Sequence, residues 1–121
     1  MKPNLLFKLS GVMLLINGLA AVFASELFLE GAGITLDPDG ITTAQAFGAS
    51  LIALGITVFR IPSFVGNMKE AITTVILGYT TFVILIAVHL INGQAEGPTP
   101  VVNLVLNLVF IILYLLARKK A

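Results

Sequence analysis

The sequence predicts an all-α polytopic membrane protein in which four transmembrane helices form an antiparallel bundle with short loops. Hydrophobic residues make up 58% of the 121 residues and charged residues only 11%, and the mean hydropathy is +1.05. Soluble domains carry about 25% charged residues, so most of this surface must be solvated by lipid. Since one span takes about 20 residues, four spans occupy most of the chain and leave no room for a soluble domain.

Charged residues separate onto the two sides of the predicted bundle. Almost every carboxylate lies in the first-to-second and third-to-fourth connections, and only Glu70 breaks the partition. The basic residues flank the start of the first span, the second-to-third connection and the C-terminus: Lys2, Lys8, Arg60, Lys69, Arg118, Lys119 and Lys120. Because short loops rich in Lys and Arg stay in the cytoplasm, we expect both termini there, with the protein integral to the plasma (inner) membrane.

The first span is predicted over residues 5–24, and an interfacial segment over residues 25–32. The sequence VFAS at the end of the span places Val22 and Ala24 as in a signal-peptidase site, so a cleaved signal peptide stays an alternative. Against it, the apolar run exceeds the roughly 7 to 15 residues of a usual signal core. The following SELFLEG sets three apolar residues between two glutamates, a pattern that suits a short helix at the interface.

The second span is predicted over residues 43–60. Before it, the sequence DPDG at Asp37–Gly40 indicates a turn, because proline presets its backbone and glycine ends it. Thr42 and Gln45 have the spacing of a capping box and predict the start of the helix. Pro62 is expected to stop it, because the residue before a proline disfavours helical geometry.

The third and fourth spans are predicted over residues 69–92 and 100–117. Asn67 is expected to cap the third helix at its N-terminus. Thr99 is expected to cap the fourth helix, with Pro100 at the first helical position. Proline lacks a backbone N–H, but at this position the N–H would have no partner within the helix. The short connections on either side of the third span predict antiparallel neighbours.

Glycines form a stripe on each of the first two spans. Gly11 and Gly18 are seven residues apart, as are Gly48 and Gly55, so each pair lies on one face of its helix. Ala44 extends the second stripe by one turn. Small residues let membrane helices approach closely, so we interpret both stripes as packing contacts between spans or between protomers.

Neutral polar residues gather in the outer half of the bundle. A rise of about 1.5 Å per residue places them about 3 to 12 Å outward from the span centres. They are Asn17, Gln45, His89, Asn103 and Asn107. They could line an outward-facing pocket for a lipid headgroup or a small neutral solute. The leading interpretation is that such amides form hydrogen bonds between helices, worth about 0.6 to 2 kcal/mol each.

Reactive groups are scarce. The spans contain no carboxylate at the midplane, and the chain has no Cys and one His, so we expect no metal site and no cofactor. We therefore expect that the protein is not an enzyme. An enzyme that acts on a lipid would need His89 as its acid or base. The net charge of +1, with the basic residues on one membrane face, gives no reason to expect nucleic acid binding.

The run AQAFGASLIALGITVF at Ala44–Phe59, the preceding ELFLEGAGI and the later VHLING together resemble the small DoxX-like and DUF4345-like four-helix membrane proteins. The resemblance implies a four-helix bundle without an established activity, and relatives include accessory subunits and chaperone-like partners. Where some relatives carry an acidic residue or Arg at the start of the second span, this chain has Gln45.

The leading functional prediction is a non-enzymatic structural or accessory subunit. Its glycine-lined faces would dock against copies of itself or a larger membrane-protein complex, because small-residue stripes are present and reactive groups are not. The alternative is a binding or transport module built on the outer polar residues.

Overall fold

The computed structural model describes all of residues 1–121 and contains five helices and no strands. Four of the helices are long and apolar enough to cross a membrane. The helices are α1 Pro3–Phe23, α2 Ser25–Glu30, α3 Pro38–Phe64, α4 Met68–Ile91 and α5 Pro98–Lys120. The chain is therefore an all-α integral membrane protein, as the sequence predicts.

The bundle consists of two helix pairs. α1 packs closely along α3, and α4 packs along α5, whereas α3 barely touches α4. Among the four long helices, α1 is the most buried. The basic residues at the start of α1, the end of α3, the start of α4 and the end of α5 share one end of the bundle, which we call the basic end.

The α1–α3 pair is joined by the glycines of both stripes. A Cβ atom on Gly18 would lie 2.7 Å from the Gly48 carbonyl oxygen, and one on Gly11 would lie 2.9 Å from that of Gly55. Ala44 is buried one turn before Gly48. Only residues without a Cβ atom allow the two backbones to come this close. Both stripes thus meet within one chain.

An aromatic and aliphatic core fills the bundle from the basic end to its middle. The rings of Phe7 and Tyr114 meet edge to face with centroids 5.1 Å apart, and Tyr79 lies beside Tyr114 at 6.1 Å. Leu6 and Ile72 are fully buried in the same cluster. This core connects α1, α4 and α5 and closes the basic half of the bundle.

The start of α3 differs from the prediction. The Asp37 carboxylate accepts a 2.6 Å hydrogen bond from the Gly40 N–H, so Asp37 is the N-cap and Pro38 is the first helical residue. The predicted DPDG turn is therefore the first turn of the helix. The predicted capping box is also wrong, because Thr42 lies inside α3 and its hydroxyl donates to the Pro38 carbonyl at 3.2 Å.

Two further helix ends differ. α3 continues through Pro62 to Phe64, because a proline so near the C-terminus removes only one backbone hydrogen bond from the last turns. α5 is capped by Gly97 and begins at Pro98, two residues before the predicted start. Gly97 has φ +88°, a conformation that favours glycine over threonine.

The predicted N-cap of α4 is confirmed. The Asn67 side chain accepts a hydrogen bond from the Glu70 N–H at 3.1 Å. This bond satisfies one of the first four N–H groups of α4, which have no partner within the helix.

Candidate functional site

A cavity of about 310 Å³ lies between the two helix pairs, in the half of the bundle far from the basic end. Most of the residues that line it are hydrophobic, including Met13, Leu14, Leu51 and Phe82. This volume is at the lower end of the range of small-molecule sites in proteins. The cavity is therefore large enough for a small ligand or for part of a lipid.

Four of the five predicted polar residues line this one cavity. Asn17 comes from α1, His89 from the last turn of α4, and Asn103 and Asn107 from neighbouring turns of α5. They form a small polar set within an otherwise apolar wall. A few polar groups in an apolar cavity are typical of sites that orient a ligand.

The two α5 asparagines do not hold helices together. The Asn103 amide nitrogen donates to the Thr99 carbonyl at 3.0 Å, and that of Asn107 donates to the Asn103 carbonyl at 2.8 Å. Both acceptors belong to α5 itself. The interpretation of these two side chains as interhelical hydrogen bonds is therefore wrong, because each amide finds its partner one turn earlier on its own helix.

Asn107 leaves an acceptor without a partner in the cavity wall. The residue is 5% exposed, and its Oδ1 atom is buried with no hydrogen bond. A buried polar atom without a partner costs about 1 to 3 kcal/mol. Asn107 lines the cavity, but its Oδ1 atom is covered by neighbouring atoms, so a donor group of a bound molecule would reach this acceptor only after the side-chain amide turns towards the cavity.

Gln45 lies outside the cavity and behaves as the leading interpretation expects. Its Nε2 atom donates to the Val22 carbonyl of α1 at 3.3 Å and links α3 to α1. The five predicted residues thus divide into four that line the cavity and one that joins two helices.

The segment after α1 forms a roof over the cavity. Phe28 and Leu29 of α2, with Ala32 and Ile34 of the following loop, line its outer end. Two backbone hydrogen bonds attach this roof to the α4–α5 loop and to the first turn of α5. The Glu96 N–H donates to Ala32 at 2.9 Å and the Thr99 N–H donates to Gly31 at 3.0 Å.

The side of the cavity between α3 and α4 is open. Phe47 of α3 and Leu85 of α4 both line the cavity, yet they are 48% and 54% exposed. The two helices barely touch, so nothing covers the space between these side chains. In a membrane this opening would face the lipid of one leaflet.

The sequence predicted a short helical segment over residues 25–32, where α2 lies, but not that this segment covers the cavity, and it did not predict a second buried polar cluster. Ser10 and Tyr114 are fully buried, with their hydroxyl oxygens 2.6 Å apart, and the Tyr79 hydroxyl is buried nearby without a hydrogen bond. Ser10 precedes Gly11 in the close α1–α3 contact. That position was the only sequence signal that it would be buried.

No three His, Cys, Asp or Glu side chains lie close enough together to hold a metal ion. Comparison with known proteins finds no matching family model, no similar curated protein and no similar solved structure. The fold and cavity define an integral membrane protein of four spans with a mostly apolar, partly open cavity in one half.

Proposed function

We propose that this protein binds a neutral amphipathic molecule, with an apolar body and one hydrogen-bond donor, in the cavity of the bundle. The proposal rests on Asn107, which lines this mostly apolar cavity and has an Oδ1 acceptor without a partner that a ligand would reach once the amide turns towards the cavity. Under this proposal the protein is a binding or transport module for lipid-like compounds.

The lining supports a neutral ligand. No Lys, Arg, Asp or Glu contributes to the cavity, and His89 is its one ionisable side chain, so the lining has no permanently charged partner for an ion. Burying an unpaired charge is far more costly than burying a hydroxyl or an amide that is hydrogen-bonded. A free hydroxyl, an amide or a similar donor fits the single acceptor of Asn107.

We propose further that the basic end lies in the cytoplasm of a cell bounded by a plasma membrane, so that the cavity belongs to the outer leaflet. All Lys and Arg residues occupy the basic end, as the positive-inside rule requires of cytoplasmic segments. The opening between Phe47 and Leu85 then offers a route from the outer leaflet to Asn107 without passage through water.

Docking to a partner through glycine-lined faces has less support. Gly11, Gly18, Gly48 and Gly55 contact one another within the chain, so they offer no free small-residue face to another protein. The resemblance to DoxX-like proteins, with their accessory subunits, stays a prediction.

The test compares two probes with the same decyl chain, one with a hydroxyl donor and one in which a methyl group replaces the hydroxyl hydrogen. We would titrate 1-decanol and decyl methyl ether into the protein in lipid nanodiscs and follow the side-chain amide signals of the asparagines by NMR. We expect the shift of the Asn107 signal to give a dissociation constant about tenfold lower for the alcohol than for the ether. One hydrogen bond to a buried acceptor is worth about 1 kcal/mol or more.

Two variants complete this test. Asn107→Leu should bind both probes alike, because the acceptor is gone. Gln45→Leu removes an amide of the same outer half that lies outside the cavity, and it should keep the preference for the alcohol. Equal binding of alcohol and ether to the unmodified protein would refute the proposal.

A further inference from the structure

A second groove lies at the basic end, on the outside of the α1–α3 pair. It has a volume of about 600 Å³ and is lined by Asn4, Lys8 and Leu15 of α1 and by five residues of α3. Those α3 residues include Phe59 and Arg60. The groove is separate from the cavity described above, with which it shares no residue.

The groove changes from polar to apolar along its length. Asn4, Lys8, Arg60 and Ser63 lie towards the basic end of the bundle, whereas Leu15 and Ile56 lie one to two turns deeper in the membrane. A phospholipid has the same order, with its phosphate at the surface and its acyl chains directed to the bilayer centre.

The two cations of the groove have no acidic neighbour in it. None of the lining residues is a carboxylate, and both Lys8 and Arg60 are exposed. The Lys8 ammonium lies 6.0 Å from the centre of the ring of Phe59, which lines the same groove, a distance at which a cation is attracted to an aromatic face. Two unpaired positive charges at the mouth of an apolar groove attract an anion that carries a hydrocarbon chain.

We propose that this groove is a binding site for one anionic phospholipid of the leaflet that contains the basic end. Arg60 would bind the phosphate through two parallel N–H groups, and Lys8 would add a second positive charge. The acyl chain would lie along Leu15 and Ile56. A soluble acidic peptide does not fit, because it would have to lie on side chains at membrane depth. Basic pockets between helices near the cytoplasmic surface are known binding places for anionic headgroups.

The experiment measures lipid preference. The protein would be placed in nanodiscs of equal parts phosphatidylglycerol and phosphatidylcholine with identical acyl chains. Native mass spectrometry would then count the lipids retained as detergent or collision energy strips the disc. We expect one phosphatidylglycerol to be retained at least tenfold more often than phosphatidylcholine. Lys8→Gln with Arg60→Gln should abolish that preference.

A matched control separates a site from general surface charge. Lys69→Gln with Lys119→Gln removes the same charge from the same end of the bundle, but neither residue lines the groove. We expect this control to keep the preference. Arg60→Lys alone keeps the charge without the paired N–H groups, and it should lower the preference only in part. The proposal is overturned if the groove variant retains phosphatidylglycerol as the unmodified protein does, or if the control loses as much.

Discussion

The Ser10 hydroxyl of α1 lies 2.6 Å from the Tyr114 hydroxyl of α5, and both residues are fully buried. This hydrogen bond joins the two helix pairs at a point where the core is closed. Farther from the basic end, the same pairs separate around the cavity that Asn107 lines. One half of the bundle is thus closed by side-chain packing, and the other half contains the cavity.

Removal of the Tyr114 hydroxyl should destabilise the bundle modestly. Tyr114→Phe keeps the ring contact with Phe7 but loses the bond to Ser10 and a longer 3.4 Å bond to the Leu6 carbonyl, and we expect a loss of about 1 kcal/mol in the free energy of unfolding. Ser10→Ala should cost a similar amount, and the double variant should cost little more than either. Additive losses, measured by reversible unfolding in mixed micelles, would mean that the two hydroxyls do not interact.

The glycine contact between α1 and α3 should tolerate no added methyl group. Gly18→Ala would place a Cβ atom 2.7 Å from the Gly48 carbonyl oxygen, and we expect a loss of about 1 to 3 kcal/mol as the helices move apart. Gly78→Ala is the control, since Gly78 lies within α4 with nothing within 4 Å of the added atom. It should be neutral or slightly stabilising. Equal effects of the two substitutions on thermal unfolding would contradict the close α1–α3 contact.

The N-cap of α3 should respond to Asp37 and not to Thr42. Asp37→Ala removes the acceptor for the Gly40 N–H and should cost about 1 kcal/mol. Thr42→Ala should change stability by less than half as much, because the Thr42 hydroxyl bonds to a carbonyl of its own helix. Faster amide hydrogen exchange in the first turn of α3 should appear in the Asp37 variant alone. Faster exchange in the Thr42 variant would instead support a helix start near residue 43.

The proposed orientation can be tested with single cysteines, since the chain has none of its own. Glu96→Cys lies in the loop near the cavity, and Gly66→Cys lies in the loop at the basic end. A maleimide that does not cross membranes should label the Glu96 variant on intact cells and the Gly66 variant only after permeabilisation. The reverse pattern would place the cavity in the cytoplasmic leaflet.

The fold could be predicted because it depends on summed properties of long segments. The spans follow from the hydropathy of each segment, and the orientation follows from the distribution of Lys and Arg among the connections and termini. The first residue of a helix, in contrast, depends on which of several candidate residues occupies the N-cap position. Near α3, both Asp37 and Thr42 have acceptable spacing, and the proline after Asp37 favours the earlier start.

The cavity could be predicted only in part. Counting residues along each span places Asn17, His89, Asn103 and Asn107 in the same outer half of the bundle, but depth alone does not say which sides of the helices face one another. The roof was less accessible to prediction, because it depends on backbone hydrogen bonds between residues 31–32 and 96–99. Such contacts leave no pattern in the side chains.

Whether the cavity around Asn107 holds a ligand in the native membrane is tested most directly by native mass spectrometry of the protein extracted from its own membrane into lipid nanodiscs. We expect a neutral lipid-like molecule bound at one per chain to the unmodified protein and to Gln45→Leu, and lost from Asn107→Leu. A chain that carries no such molecule, and that copurifies instead with another protein at fixed stoichiometry, would contradict this expectation and favour an accessory subunit.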